Sequence, residues 1–100
     1  MVIIMQIHIV GHNFHVTPAI EEFIKEKFNK LKKHSEQITS INVTLNVEKL
    51  QHIAESTIFL MKFELHAHAE SHNMYTTIDQ LVEKLNVQLI KHKEKLQSHR

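Results

Sequence analysis

The segment NMYTTIDQLVEKLNVQLIKHKEKLQSHR, residues 73 to 100, holds no glycine or proline and reads as one long helix. Asn73 stands where a cap is needed, with a side-chain oxygen able to accept from an unpaired N–H of the first turn. At about 100° per residue, Ile78, Leu81, Val82, Leu85, Leu89 and Leu96 share one stripe. A helix with one apolar stripe is stable only when another layer covers it. The rest of a 100-residue chain must supply that layer.

Charge on this helix is sorted. Measured from the stripe, Lys84, Lys91 and Lys95 gather within about 40° on one flank, while Asp79, Glu83 and Glu94 gather on the other. Sorting forgoes the roughly 0.2–0.5 kcal/mol that each interleaved i, i+4 ion pair would contribute. From this helix alone the pattern reads first as a solvated lysine face.

The covering layer is a sheet. Met5, Ile7 and Ile9 alternate with Gln6 and His8, so a first strand is expected over Met5 to Val10, with residues 1 to 4 an extension of it or a dispensable start. Gly11, His12 and Asn13 are expected to turn. Thr17-Pro18 opens a helix, because Thr17 can cap and Pro18 lacks an N–H that would go unpaired. Its stripe is Ile20, Phe23, Ile24, Phe28 and Leu31, and Lys27 and Lys30 border that stripe, with His34 continuing the line. Lys27 stands so close to the stripe that its methylenes must lie on the core. It is either a packing accident or a lysine held in a groove between elements.

From Ser40 the period becomes two. Ile41, Val43, Leu45 and Val47 face inward, Lys49 to Glu55 reads as a connection, and Ile58 and Leu60 continue a third strand. Leu65, Ala67 and Ala69 define a fourth, with the turn near Met61 to Phe63 although no glycine marks it. The fold expected is α+β: a two-layer β-α-β-β-β-α sandwich, with a four-stranded mixed sheet and two helices on one face. The first two strands run parallel if they are neighbours.

Residues 1 to 100 are expected to form a single domain, since 42% hydrophobic content supports one core. Without cysteine there is no disulfide, thiolate metal site or cysteine nucleophile, which fits a reducing, cytoplasmic setting. MVIIMQIHIV lacks a basic start and the length of a membrane span, so no membrane partner is expected. Net charge is only +1, but its distribution is uneven. Residues 18 to 34 carry five lysines against three glutamates, residues 35 to 72 two lysines against five glutamates, and residues 73 to 100 five basic against three acidic residues. Positive charge is concentrated in the two helices, where it can attract phosphate although the molecule is nearly neutral.

Ten histidines offer metal chemistry as an alternative. His66 and His68 share the outward face of a strand, but a third ligand is missing, since His8 belongs to the opposite edge of a 1-2-3-4 sheet. No H-E-x-x-H, G-x-S-x-G or phosphate-cradling glycine loop occurs. No enzymatic activity and no cofactor are expected.

MQIHIVGHNFHVTPAI at the start, KFNKL at 27–31, VEK at 47–49, LHAHAE at 65–70, NMYTTIDQLVEKL from Asn73 and IKHKEKL from Ile90 together resemble the ribosome hibernation-promoting factors and their ribosome-associated inhibitor relatives, in the short form. The resemblance spans the chain from Met5. It implies a fold similar to double-stranded RNA-binding domains and a role in stationary phase or stress. It further implies binding of small-subunit rRNA in the decoding channel, exclusion of mRNA and tRNA, silencing of translation and dimers of idle ribosomes. The implied partners are the small ribosomal subunit and a ribosome modulation factor, with the free protein a monomer. The family's basic positions fall on Lys27, Lys30, Lys84, Lys91, His92, Lys93 and Lys95. The chain ends without the longer tail of the inhibitor branch, which favours the dimer-promoting branch. The alternatives are an inhibitor that blocks translation without promoting dimers, and a stand-alone double-stranded RNA-binding module. Replacing Lys84, Lys91 and Lys95 together by Glu is expected to abolish ribosome binding and leave the fold intact.

Overall fold

The structure, a computed structural model, describes residues 6–31 and 38–98, residues 93–98 by their backbone. The expectations placed on residues 1–5 and on His34 lie outside the described residues, as does the side chain of Leu96. Six elements follow in order: β1 (Gln6–His12), α1 (Pro18–Asn29), β2 (Ile38–Glu48), β3 (Gln51–Leu60), β4 (Glu64–Ser71) and α2 (Met74–Ser98).

The strands form one mixed sheet in the order β1-β2-β3-β4. β1 runs parallel to β2, with Ile7 beside Ile41 and Ile9 beside Val43, and the other neighbours are antiparallel. Inward Ile41, Val43, Leu45, Ala54, Ile58, Ala67 and Ala69 share one core with Ile20, Ile24, Phe28 and Leu31 of the first helical segment and Ile78, Leu81, Val82, Leu85 and Leu89 of α2. Both helices therefore cover the same sheet face, as the stripes require. Ala67 and Ala69 on β4 let α2 approach closely.

Both helix starts carry their expected caps. Thr17 is extended (φ −79°, ψ 160°), and its Oγ1 accepts the Ile20 N–H at 3.2 Å. Asn73 Oδ1 accepts the Thr76 N–H at 3.1 Å. One turn on, the fully buried Thr77 hydroxyl lies 3.1 Å from the His52 carbonyl, 2.8 Å from the Asn73 carbonyl and 2.6 Å from Ser71 Oγ, tying the start of α2 to β3 and β4.

Two expectations are corrected. Gly11 and His12 do not turn: β1 continues to His12, which pairs with Asn46 because β2 extends that far. The chain leaves the strand at Asn13, whose φ of 53° suits an Asn. Gly11 is needed for space, since a Cβ there would collide with the carbonyl oxygen of Phe14. Nor is Lys49 to Glu55 a connection. Only Lys49 and Leu50 turn, and β3 starts at Gln51, paired with Glu48. Lys49 adopts a φ of 56° in a tight hairpin without the usual Gly or Asn. The inward residues Ala54 and Ser56 are too small or polar to register as alternation.

Candidate nucleic-acid interface

Lysine and arginine are absent from the four strands, while Glu48, Glu55, Glu64 and Glu70 lie on them. On the uncovered sheet face a shallow depression of about 180 Å³ is lined by Asn42, Thr44, Glu55, Ser56, Thr57 and His66. His66 Nδ1 is 2.9 Å from Thr57 Oγ1, and His68 Nε2 is 3.7 Å from Glu70 Oε2. No group of three potential metal ligands forms among the described residues. An acidic, hydrogen-bonded sheet face repels phosphate. Apart from Lys49 and Lys62 in the two hairpin turns and Lys30 at the end of α1, the described lysines are on the helices.

Lys27 lies between them. Its ammonium is 3.0 Å from Asp79 Oδ1 on α2 and 5.4 Å from the centre of the Phe23 ring. Phe23 in turn meets Tyr75 edge to face at 4.9 Å. Thus two α1 residues four apart, Phe23 and Lys27, engage two α2 residues four apart, Tyr75 and Asp79. Of the two readings open for Lys27, the structure selects the lysine held in a groove. The pair is only partly shielded, with side-chain exposures of 29% and 53%, so it contributes at most about 1 kcal/mol to stability. Its larger effect is to fix where the ammonium sits. Lys30, at the end of α1, is exposed and forms no ion pair among the described residues.

Lys84 has a different setting. Its ammonium donates to the His68 carbonyl at 2.7 Å, and Gln88 Nε2 donates to the His66 carbonyl at 2.8 Å. β4 is an edge strand whose outward carbonyls would otherwise meet only water. Two side chains one helical turn apart thereby staple α2 to that edge. An ammonium has three donors, so Lys84 keeps two for an incoming phosphate. Lys91, two turns beyond Lys84 on the same flank, is exposed.

The two cationic edges lie on opposite flanks of α2. Asp79, which marks the Lys27 side, is about 140° around the helix from Lys84. Between them the outer arc of α2 presents Thr76, Gln80, Glu83, Val87 and Ile90, all exposed. His92 is half-buried, its ring 3.9 Å from that of Phe63, and its Nε2 is buried without a hydrogen-bond partner. Lys93 and Lys95 occupy the last turns of α2, beyond the described side chains. Sequence reasoning missed Gln88 and the pairing of Lys27 with Asp79. The first was accessible, since Gln88 is four residues from Lys84 and three from Lys91 on one stripe; the second joins residues far apart in the chain.

Comparison with known proteins gives consistent matches. The model of the family described as Sigma 54 modulation protein / S30EA ribosomal protein matches residues 7–97. A ribosome hibernation promoting factor of Salmonella typhimurium is 45% identical over 95 residues, covering 95% of this chain and 100% of the relative. The protein of that name from Escherichia coli K12 is 43% identical over the same extent. Among solved structures, a ribosomal subunit interface protein from Coxiella burnetii superposes with a TM-score of 0.86 at 31% identity, covering 90% of this chain and 99% of that one. The N-terminal domain of Thermus thermophilus Protein Y shares the fold, with a TM-score of 0.80 at 23% identity over 92% of this chain and 99% of that one.

Proposed function

The chain belongs to the Sigma 54 modulation protein / S30EA ribosomal protein family, and we propose on that footing that it binds small-subunit rRNA in the decoding channel, as a single domain over residues 1–100. Occupying that channel, it excludes mRNA and tRNA, silences translation and, with a ribosome modulation factor, promotes dimers of idle ribosomes. Its role is ribosome-associated hibernation. It is not an enzyme, because the family acts by binding. Working on ribosomes places it in the cytoplasm, as a monomer when free.

The observation that supports this reading best is the division of charge between the two layers. Every strand lacks lysine, and Lys27, Lys30, Lys84 and Lys91 edge the helical layer on both flanks of α2. RNA phosphates are attracted to that layer and repelled from the other, which fixes the orientation of the bound protein. Lys93 and Lys95 are further basic positions on the last turns of α2; helical spacing sets Lys95 in line with Lys84 and Lys91, and Lys93 about 180° around the helix from Lys84. His92 contributes through the packing that holds the end of α2 beside Phe63.

A sucrose-gradient profile of purified ribosomes with and without the protein tests the proposal. Protein travelling with the small subunit, and a dimer peak that grows when a modulation factor is added, are the expected results. Ribosome binding without dimers selects the inhibitor alternative. Equal affinity for a plain RNA duplex and for small subunits selects the stand-alone RNA-binding module.

A further inference from the structure

The clasp between the helices contains a residue that opposes the proposed function. Lys27 is among the basic positions assigned to RNA, yet its ammonium is already 3.0 Å from the Asp79 carboxylate. The pair is framed by a second contact between the helices: the Lys27 ammonium is 5.4 Å from the centre of the Phe23 ring, Phe23 packs on Tyr75, and Tyr75 stands one turn before Asp79. A phosphate reaching Lys27 must displace a carboxylate that then remains beside it and repels it. Lys30, one turn further along α1, has no such competitor among the described residues.

We propose that Asp79 is a positioning residue that withholds Lys27 from RNA phosphates, so that the inter-helix edge engages RNA only where the rest of the surface already fits. This rests on the reading of the helical edges as an RNA-binding surface. Physically it is a competition between two anions for one cation. Its signature is coupling between residues 27 and 79 in binding, together with a change in salt dependence, neither of which a purely structural ion pair would produce.

The experiment compares Asp79→Asn with Glu83→Gln, which removes the same charge from the exposed outer arc of α2. Each is measured alone and with Lys27→Gln, against a plain RNA duplex and against purified small subunits over a salt series. Asp79→Asn is expected to tighten duplex binding at least threefold more than Glu83→Gln. It should also steepen the dependence of log K on log salt by about 0.9, one additional phosphate. Both effects should disappear when Lys27 is replaced. Lys27→Gln alone, which keeps Asp79, is expected to cost less than threefold in duplex affinity. Equal gains from Asp79→Asn and Glu83→Gln, a gain that survives Lys27→Gln, or a tenfold loss from Lys27→Gln alone would overturn the inference. If wild-type protein fails to bind small subunits while the coupling appears on the duplex, the proposed function falls and the inference stands. If it binds neither, both fall.

Discussion

The Lys84 ammonium lies 2.7 Å from the carbonyl oxygen of His68, so a lysine of the proposed RNA edge also closes the open side of β4. The consequence is a difference between two lysines that the helical wheel treats as equals. Lys84 and Lys91 share a flank, but Lys84 alone of the two has a bond to the sheet. Replacing Lys84 by Ala should lower unfolding stability by about 0.5–1.5 kcal/mol, whereas Lys91→Ala should leave it within about 0.5 kcal/mol of wild type. Urea denaturation curves distinguish them. The triple replacement of Lys84, Lys91 and Lys95 by Glu accordingly disturbs the sheet edge as well as the RNA surface, and Lys91 with Lys30 is the cleaner pair for separating binding from folding.

Thr77 gives a second prediction. Its hydroxyl is fully buried and lies within hydrogen-bond distance of the His52 and Asn73 carbonyls and of Ser71 Oγ. Thr77→Val keeps the volume but deprives the His52 carbonyl and Ser71 of a buried partner. A loss of about 1–3 kcal/mol of unfolding free energy is expected, read as a lower urea midpoint. Ribosome binding, measured well below the melting temperature, should be unchanged because the Thr77 side chain is fully buried and presents nothing to a bound RNA.

Gly11 gives a third. It needs no positive φ, and its constraint is steric, since an added Cβ meets the backbone carbonyl of Phe14 and approaches the Val16 side chain at 3.0 Å. Gly11→Ala should therefore cost about 1–3 kcal/mol through displacement of the segment that leads into α1. Val10→Ala, at an exposed neighbouring position, should cost much less. Thermal unfolding of the two variants side by side checks the difference.

Most of the fold could be read from residue patterns because the strong periods and caps were local. Thr17-Pro18 and Asn73 carry their own geometry, and the stripes of both helices and of β2 are formed by large residues. Reading failed where inward positions are small, as at Ala54 and Ser56, and where the hairpin turn at Lys49-Leu50 uses no turn-forming residue. It also failed at Gly11, where a single glycine suggested a turn but serves close approach within a strand. For the candidate site, helical spacing located the lysines but not their partners. Asp79 comes from an element distant in the chain from Lys27, and the His68 carbonyl from the strand before α2, and only the packing of α2 against α1 and β4 brings them to Lys27 and Lys84.

The central claim is that the helical edges hold RNA phosphates on the small subunit. Co-sedimentation of the protein with purified small subunits, over a series of salt concentrations, tests it with wild type and with Lys30→Glu/Lys91→Glu, two exposed positions that form no hydrogen bond or ion pair with the sheet among the described residues. Wild type should bind with an affinity that falls steeply as salt rises, and the double variant should remain folded by circular dichroism yet stay at the top of the gradient. A folded double variant that travels with the subunit as wild type does, with the same salt dependence, would contradict the claim.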